Sequence, residues 1–191
     1  SSFKSHRWDG YTRLFSKKNG LFPTGLKSRV MRIYKKHYPD CEIEIADHRD
    51  FKPTKDIPKV EDIPLDGVTL RAHQVRAGNA MLKKKHGVLW AATNSGKTET
   101  AIAVIKALDL PTLFLVKGKD LVMQTYKRFQ KRLGVDDIGL VMSDTWDVRR
   151  FTIASADTLA RRLTPSKMGK NTKERQQIVK DLLQSVQVVI V

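Results

Sequence analysis

Two kinds of hydrophobic pattern alternate along the chain from residue 69 to residue 191. Short, continuous apolar runs indicate buried strands, and the stretches between them have apolar residues three or four positions apart, as in amphipathic helices. Strands are predicted at Val88–Ala91, Thr112–Val116, Ile138–Met142, Phe151–Ala154 and the final run VQVVIV. Helices are predicted at 70–85, 97–108, 119–133, 175–185 and in a short segment ending at Leu163. Such an order predicts an α/β fold, in which a parallel sheet is covered by helices on both faces.

Residues 1–51 have a different pattern, which predicts a small, basic α+β domain. Tyr11–Ser16 alternates like a strand, and Lys18-Asn19-Gly20 is a turn signal after it. A helix is predicted over LKSRVMRIYKKHY, residues 26–38, and Cys41–Ile45 alternates as a further strand. Residues 52–68 contain three prolines and many charges, so they are predicted to link this domain to a second one of residues 69–191.

The balance of charges predicts a polyanionic partner. The chain has 36 lysines and arginines against 20 aspartates and glutamates, a formal net charge of +16 at pH 7. Nucleic acid is expected rather than a membrane, because no apolar span or amphipathic anchor helix is evident. A basic surface that only keeps the protein soluble is the alternative. The cations of the N-terminal helix that are expected to contact DNA are Lys27, Arg32, Lys35 and Lys36.

Cysteine and histidine chemistry is limited in this sequence. Cys41 is the only cysteine, so it forms no intramolecular disulfide and no cysteine-based zinc cluster, and it is expected to be a small strand residue. The five histidines are scattered without metal-ligand spacing, and no zinc site is predicted. No signal-peptide pattern opens the sequence, so the cytoplasm is the expected compartment.

The stretch GVLWAATNSGKTET, residues 87–100, is predicted to bind nucleotide phosphates. It reads as a buried strand, a loop and the start of a helix, and these three parts make a phosphate-binding loop. Lys97 is expected to reach the β- and γ-phosphates, and the Thr98 hydroxyl to bind Mg²⁺. Ala91 and Asn94 stand where glycines are common, and Asn94 is expected to tolerate the left-handed backbone conformation that closes the loop. A chance GKT at a helix start is the alternative. The residues expected to bind ATP here are Thr93, Asn94, Ser95, Gly96, Lys97, Thr98 and Glu99.

Five segments of the chain, taken in sequence order, resemble motifs of the first motor domain of superfamily 2 helicases. They are LRAHQ, AATNSGKT, TLFLVKGKDLVMQ, IASADTL and QVVIV. The resemblance implies a RecA-like P-loop sheet, in which Gln74 reads the adenine edge and Arg71 helps to hold the loop. It also implies a set of nucleic-acid contacts at Lys117, Gly118, Lys119, Gln124, Ser155 and Thr158. The N-terminal segments RWDGYTRLF and LFPTGL resemble the accessory domain of UvsW-type phage recombination helicases.

This resemblance implies an ATP-dependent DNA helicase or translocase that remodels branched or duplex DNA, with ATP and Mg²⁺ as cofactors and Lys97 and Thr98 as catalytic residues. In the family, a strand like VQVVIV runs into an Asp-Glu motif that holds Mg²⁺ and orients water. The sequence ends at Val191, so this chain is expected to bind ATP with little or no hydrolysis. We further expect a monomer that acts in DNA recombination or repair, with recombination or replication proteins as partners. If the protein is phage-encoded, the host cytoplasm is the expected location.

Other function classes stay open at this point. One is a nucleic-acid-binding module with a nucleotide-sensing P-loop domain and no motor activity. Another is a restriction-type translocase subunit, which shares the motor and differs in partners. A small-molecule kinase is disfavoured, because no substrate lid is visible and a charge of +16 does not suit that chemistry. DNA and RNA are not distinguished by any residue pattern, and the phage-helicase resemblance favours DNA.

Four further placements are predicted. Trp90 should lie in the core, and Trp146 should pack against the protein rather than stack on a base. His73 should be a packing or capping residue. Residues 166–175, SKMGKNTKER, should form a charged surface loop.

Overall fold

The computed structural model describes residues 14–44, 57–84, 86–164 and 172–191. Contacts between Cα atoms divide the chain into two compact units, Ser1–Pro53 and Thr54–Val191. Among the helices of the described ranges, none is both long and apolar enough to cross a membrane.

The described part of the first unit is built around helix α1, Lys27–His37, which follows a 3-10 turn at Thr24–Leu26. Five of the eleven residues of α1 are lysine or arginine, none is acidic and none is buried. The predicted turn is confirmed: Ser16 N donates to Leu21 O at 2.8 Å, and Gly20 has a φ of 68°. The described parts of the predicted strands, 14–16 and 41–44, are not strands, because no described segment pairs with them. Residues 11–13 and 45 lie outside the described residues.

The second unit contains a five-stranded sheet. The strands are β1 Thr112–Val116, β2 Ile138–Met142, β3 Thr145–Asp147, β4 Phe151–Ser155 and β5 Val188–Ile190. Their order is β3-β2-β4-β1-β5, and all neighbours are parallel except β2 and β3. The predicted parallel α/β fold is therefore confirmed, and β3 is an antiparallel edge strand that the sequence pattern did not reveal.

Helices cover both faces of this sheet, as the hydrophobic pattern predicted. They are α2 Ala72–Lys84, α3 Lys97–Leu108, α4 Lys119–Leu133, α5 Ala156–Leu163 and α6 Thr172–Ser185. One core cluster joins α3 and α4 to the sheet through residues such as Ile105, Phe129 and Ile153. The second joins α5 and α6 to the other face through Leu159 and Val179. Because α6 begins at Thr172, the end of the predicted surface loop at 172–175 is helical, and 165–171 lie outside the described residues.

The predicted strand Val88–Ala91 is not a strand in the structure. Residues 87–92 carry no regular secondary structure, and no described strand pairs with them. Val88 is 93% exposed and Trp90 is 96% exposed, so the prediction that Trp90 lies in the core was wrong. The apolar run was therefore not sufficient to form a strand, because a strand is buried only where a neighbouring strand and a covering helix meet it.

The segment predicted to be a linker packs on the second unit from residue 57 onward. We call residues 57–68 the strap. Val60 is fully buried and Leu65 is 7% exposed, and both belong to the first core cluster. Lys106 Nζ donates to Pro64 O at 2.8 Å, and Arg132 Nη1 donates to Asp66 O at 2.7 Å. The strap therefore ties the chain before α2 to α3 and α4.

The strap also contacts α2 itself. The Asn79 side chain accepts a hydrogen bond from Val60 N at 3.0 Å and donates one to the Glu61 carboxylate at 2.7 Å. The donated hydrogen bond holds the pKa of Glu61 below its ordinary value, because it favours the ionised carboxylate. This pairing fixes the strap against the helix that carries Gln74.

Candidate nucleotide and nucleic-acid site

The predicted phosphate loop lies between residue 91 and the start of α3. Asn94 and Gly96 adopt left-handed backbone conformations, with φ of 61° and 80°. The expectation for Asn94 is confirmed, and the pair of left-handed residues lets the chain reverse direction just before the helix. No side chain caps the N-terminus of α3. Its first N–H groups and the positive end of the helix dipole are therefore available to an anion.

Lys97 is the first residue of α3, and its ammonium turns back over the loop. Nζ donates to Ala91 O at 3.1 Å and to Ala92 O at 2.9 Å. The side chain is exposed, so a ligand phosphate can reach the same nitrogen. Beside it, Ser95 Oγ is buried and has no hydrogen-bond partner, an arrangement that a polar ligand would satisfy. These observations fit a polyphosphate group at this loop.

The start of α2 holds the phosphate loop at two successive carbonyls. Gln74 is 6% exposed, and its Nε2 donates to Gly96 O at 3.1 Å while its Oε1 accepts from Arg71 N at 2.7 Å. His73 Nε2 lies 3.1 Å from Ser95 O. The LRAHQ segment and the GKT segment, 22 residues apart, thus form one site. The sequence predicted a packing or capping role for His73 but not this contact with the loop, because nothing in the sequence indicates which face of α2 meets the loop.

The two residues that follow Lys97 are placed differently. Thr98 is half-buried in the first turn of α3. Glu99 points towards α4, where Arg128 Nε lies 3.6 Å from its Oε1, and the Glu99 side chain is only 15% exposed. The pair orients α4 against the phosphate loop. Arg128 carries no local sequence signal, since its function depends on the packing of two helices.

The residues predicted to contact nucleic acid form two groups. Lys117, Gly118, Lys119 and Gln124 are all exposed, just beyond the carboxyl end of β1 and in the first turns of α4. Gly118 has a φ of 89° and precedes α4 without a side-chain cap. This group is accessible to a phosphate backbone.

The other group, Ser155 and Thr158, is turned inward, and each residue is 3% exposed. Ser155 Oγ accepts from Thr158 N at 3.3 Å, and Thr158 Oγ1 accepts from Ser143 N at 3.1 Å. Both hydroxyls therefore serve the junction of β2, β4 and α5. Ser143 has a φ of 54°, and Thr158 fixes the turn in which it lies.

The predicted packing of Trp146 is confirmed. It lies half-buried on β3 and packs against the second core cluster. The Arg162 guanidinium lies over its ring, with Cζ 4.4 Å from the centroid. In the described part of the chain, no group of three or more histidine, cysteine, aspartate or glutamate side chains could hold a metal ion.

Comparison with protein families gives a match to the model described as "Type III restriction enzyme, res subunit" (ResIII), over residues 67–190. The DNA 3'-5' translocase XPB2 of Sulfurisphaera tokodaii is 26% identical over 131 residues, which are 66% of this chain and 27% of the translocase. The UvrABC system protein B of Campylobacter fetus is 39% identical over 80 residues, 42% of this chain and 10% of that protein. The chain thus spans about a quarter or less of the length of these relatives.

Solved structures share the fold. The UvsW helicase from bacteriophage T4 superposes with a TM-score of 0.64 at 14% identity, covering 98% of this chain and 77% of the other. A second T4 UvsW structure gives a TM-score of 0.65 at 11% identity, covering 99% of this chain and 44% of the other. With the matched motifs on the predicted RecA-like sheet, the chain belongs to the ResIII family and carries the N-terminal RecA-like domain of a superfamily 2 helicase.

Proposed function

We propose that this chain is the ATP-binding portion of a DNA helicase or translocase. The observation that carries the proposal is the joining of α2 to the phosphate loop, where Gln74 holds Gly96 O at 3.1 Å beside the exposed Lys97 ammonium. A base-reading amide and a phosphate-binding lysine at one loop suit a nucleoside triphosphate. The ResIII match over residues 67–190 supports the same function.

ATP would bind by exchanging contacts at this loop. The Lys97 ammonium would leave the loop carbonyls and donate to the β- and γ-phosphates. These phosphates would also accept hydrogen bonds from the backbone N–H groups of residues 94–98 at the start of α3. Gln74, supported by Arg71, would read the adenine edge, and the Thr98 hydroxyl would join the ligands of Mg²⁺. Mg²⁺ commonly binds through a few protein oxygens together with phosphate oxygens and water, and it neutralises phosphate charge. We further propose that this chain by itself binds ATP with little hydrolysis.

DNA is the proposed polyanionic partner. The net charge of +16, the exposed Lys117 and Lys119 beyond β1, and the basic surface of α1 all favour phosphate-backbone contacts. Contacts of this kind carry little sequence preference and depend steeply on salt. The DNA translocase among the relatives supports DNA over RNA. We further propose a monomer that acts in the cytoplasm, of a phage host if phage-encoded, in recombination or repair, with recombination or replication proteins as further partners.

A restriction-type translocase subunit is the second candidate, and the description of the matching family model favours it. It would use the same ATP and DNA contacts and differ in the proteins that accompany the motor. Co-purification of the protein with a DNA-modifying or DNA-cleaving partner would select this candidate. Purification as an active monomer would select the first.

The test compares ATP binding by the wild type and by Lys97→Ala, followed with a fluorescent ATP analogue. We expect Lys97→Ala to weaken binding about 10- to 100-fold, because a hydrogen bond to a charged group contributes about 1.5–3 kcal/mol. Lys127→Ala, which removes an exposed cation from α4, is the matched control and should bind ATP like the wild type. Equal affinity in Lys97→Ala and the wild type would contradict nucleotide binding at this loop.

Motor activity is tested separately, by ATP hydrolysis with and without branched DNA, on the protein expressed from its complete reading frame. We expect DNA to stimulate hydrolysis and Lys97→Ala to abolish it. If the protein binds DNA with the same affinity with and without ATP, and hydrolyses no ATP under any condition, the motor proposal is wrong. The chain would then be a nucleic-acid-binding module.

A further inference from the structure

The Ser155 and Thr158 hydroxyls, which the family resemblance implies contact DNA, are committed to the protein interior. Ser155 and Thr158 are each 3% exposed and bonded to backbone N–H groups. The cations of α5 lie in its last turn, at Arg161 and Arg162. Any phosphate contact by a side chain of this helix therefore falls to these arginines.

The two arginines are held in different ways. Arg161 Nε donates to Asp157 O at 3.3 Å, within the same exposed helix face. Arg162 instead lies over the Trp146 ring, with Cζ 4.4 Å from the ring centroid. An arginine stacked on an aromatic face keeps the N–H groups at the rim of its planar guanidinium free for a phosphate or carboxylate. Stacking therefore fixes the cation without occupying its donors.

The platform beneath Arg162 is itself rigid. Trp146 belongs to β3, is paired with Val141 of β2, and packs against the second core cluster. The Ser143 turn that leads into β3 is held by Thr158 of α5. The same helix thus supplies the arginine and fixes the strand that carries its platform.

Arg149, two residues after β3, is already paired. Arg149 Nε donates to both carboxylate oxygens of Asp147, at 3.2 and 3.0 Å, and this pairing raises the pKa of Arg149. Within the described ranges, no carboxylate lies at ion-pair distance from Arg162. Asp144 and Asp157 are both exposed, respectively two residues from Trp146 and five from Arg162 in the sequence. A phosphate contact here would depend on one oriented guanidinium rather than on a diffuse basic patch.

We propose that Arg162, stacked on Trp146, binds a phosphate of the DNA backbone, and that Ser155 and Thr158 are positioning residues for it. The proposal rests on the proposed function, since it names a further contact for the same DNA. In the order β3-β2-β4-β1, Trp146 is three strand spacings from the strand that leads to Lys119, about 14 Å.

The experiment uses Trp146 as its own reporter in the full chain. The chain has three tryptophans, and Trp8→Phe with Trp90→Phe leaves Trp146 as the only one. Branched DNA is titrated at several salt concentrations, while Trp146 emission and the anisotropy of labelled DNA are recorded. We expect DNA to change Trp146 emission, because a phosphate at the guanidinium alters the charge above the indole ring.

In this background, Arg162→Gln should abolish the emission change and reduce the slope of log K against log salt by about 0.9, the value for one lost phosphate contact. Lys180→Gln, which removes an exposed cation from α6, is the matched control and should keep the emission change. If Arg162→Gln fails to fold by circular dichroism, Arg162→Lys replaces it. Lysine keeps the charge and loses the planar donors, so the slope should persist while the emission change is lost.

The outcomes separate the two proposals. Wild-type chain that binds no DNA at any salt concentration overturns the proposed DNA function, and the Arg162 contact with it. Wild-type chain that binds DNA, with the same slope and emission change in Arg162→Gln, overturns only the Arg162 contact.

Discussion

Gly96 combines a left-handed backbone conformation with a close contact to the Gln74 side chain. Its φ of 80° lies in the left-handed region, and a Cβ added there would collide with Gln74 Nε2. Any other residue would be strained in its backbone and would also push away the side chain that joins α2 to the phosphate loop. A glycine is required here for two independent reasons.

We predict that Gly96→Ala lowers ATP affinity at least tenfold and destabilises the second unit. The left-handed backbone alone costs about 1–2 kcal/mol for a residue with a Cβ, and displacement of Gln74 adds the loss in binding. Gly20→Ala is the matched control, because Gly20 has a φ of 68° but no atom within 4 Å of an added Cβ. Urea unfolding and ATP titration of both variants give the comparison. ATP affinity equal to wild type in Gly96→Ala would contradict the steric argument.

At this scale, the sequence predicted residues that belong to a contiguous motif. The loop lysine and the left-handed Asn94 were visible, because their spacing along the chain reflects local geometry. Gln74 was singled out only by the family resemblance, since it lies 22 residues from the loop carbonyl that it contacts. Arg128 and Arg162 were not, since each acts through a partner far away in the sequence. The inward orientation of Thr158 was also hidden, because a hydroxyl suits either a buried hydrogen bond or a phosphate.

At the scale of elements, α3, α4, β1 and β2 have the predicted bounds. Their hydrophobic patterns are long enough to be recognised. The apolar residues of each element are buried by the elements that pack against it. Strand β3 has only three residues, too few for a periodicity to be recognised. Residues 88–91 were predicted to form a strand and have no regular secondary structure, because burial depends on which distant surface meets a segment. The strap lies within the predicted linker, and its packing also depends on a distant surface. Pro64 and the surrounding charges favoured a linker, whereas buried Val60 and Leu65 attach it to the core.

The contact between the strap and α2 supports a prediction about packing. Gly78 is buried in α2, and an added Cβ would lie 2.9 and 3.0 Å from the two methyl carbons of Val60. We predict that Val60→Ala costs about 2 kcal/mol of unfolding free energy, because it removes part of a fully buried side chain. Gly78→Ala alone should also destabilise, despite the better helix propensity of alanine.

The double variant, Val60→Ala with Gly78→Ala, tests whether the two side chains pack against each other or affect stability independently. It should be more stable than the sum of the two single changes predicts by about 1–2 kcal/mol, since the new methyl group fills space that valine left. The measurement is equilibrium urea unfolding of all four proteins. Simple additivity would show that the strap does not pack on α2 in solution.

At the scale of the whole molecule, charge is the dominant property. The sequence pI is about 10.1, and the described first unit contributes α1, in which five of eleven residues are basic and none is acidic. With no buried residue on α1 in the structure, its cations are free to meet solvent or a polyanion. Binding by such a surface should scale with the number of phosphates neutralised rather than with base sequence.

We predict that neutralising Lys27, Arg32, Lys35 and Lys36 with glutamine weakens DNA binding at all sequences. The slope of log K against log salt should fall by up to about 0.9 for each of these cations that contacts a phosphate. Charge-keeping changes, Lys27→Arg with Lys35→Arg and Lys36→Arg, are the control and should preserve the slope. Fluorescence anisotropy over a range of salt concentrations measures both. If the glutamine variant keeps the wild-type slope, α1 is only a solubilising surface.

The hydrogen bonds from Lys97 to Ala91 O and Ala92 O have a consequence for turnover. These carbonyls compete with a phosphate for the Lys97 ammonium. The net binding free energy from the lysine is therefore the difference between its contacts with the phosphate and its contacts with the carbonyls. The same competition acts in the other direction when a nucleotide leaves, because the lysine returns to partners that the loop itself provides. If this loop binds ATP as proposed, such an arrangement would give up some tightness of binding and gain faster exchange of the nucleotide.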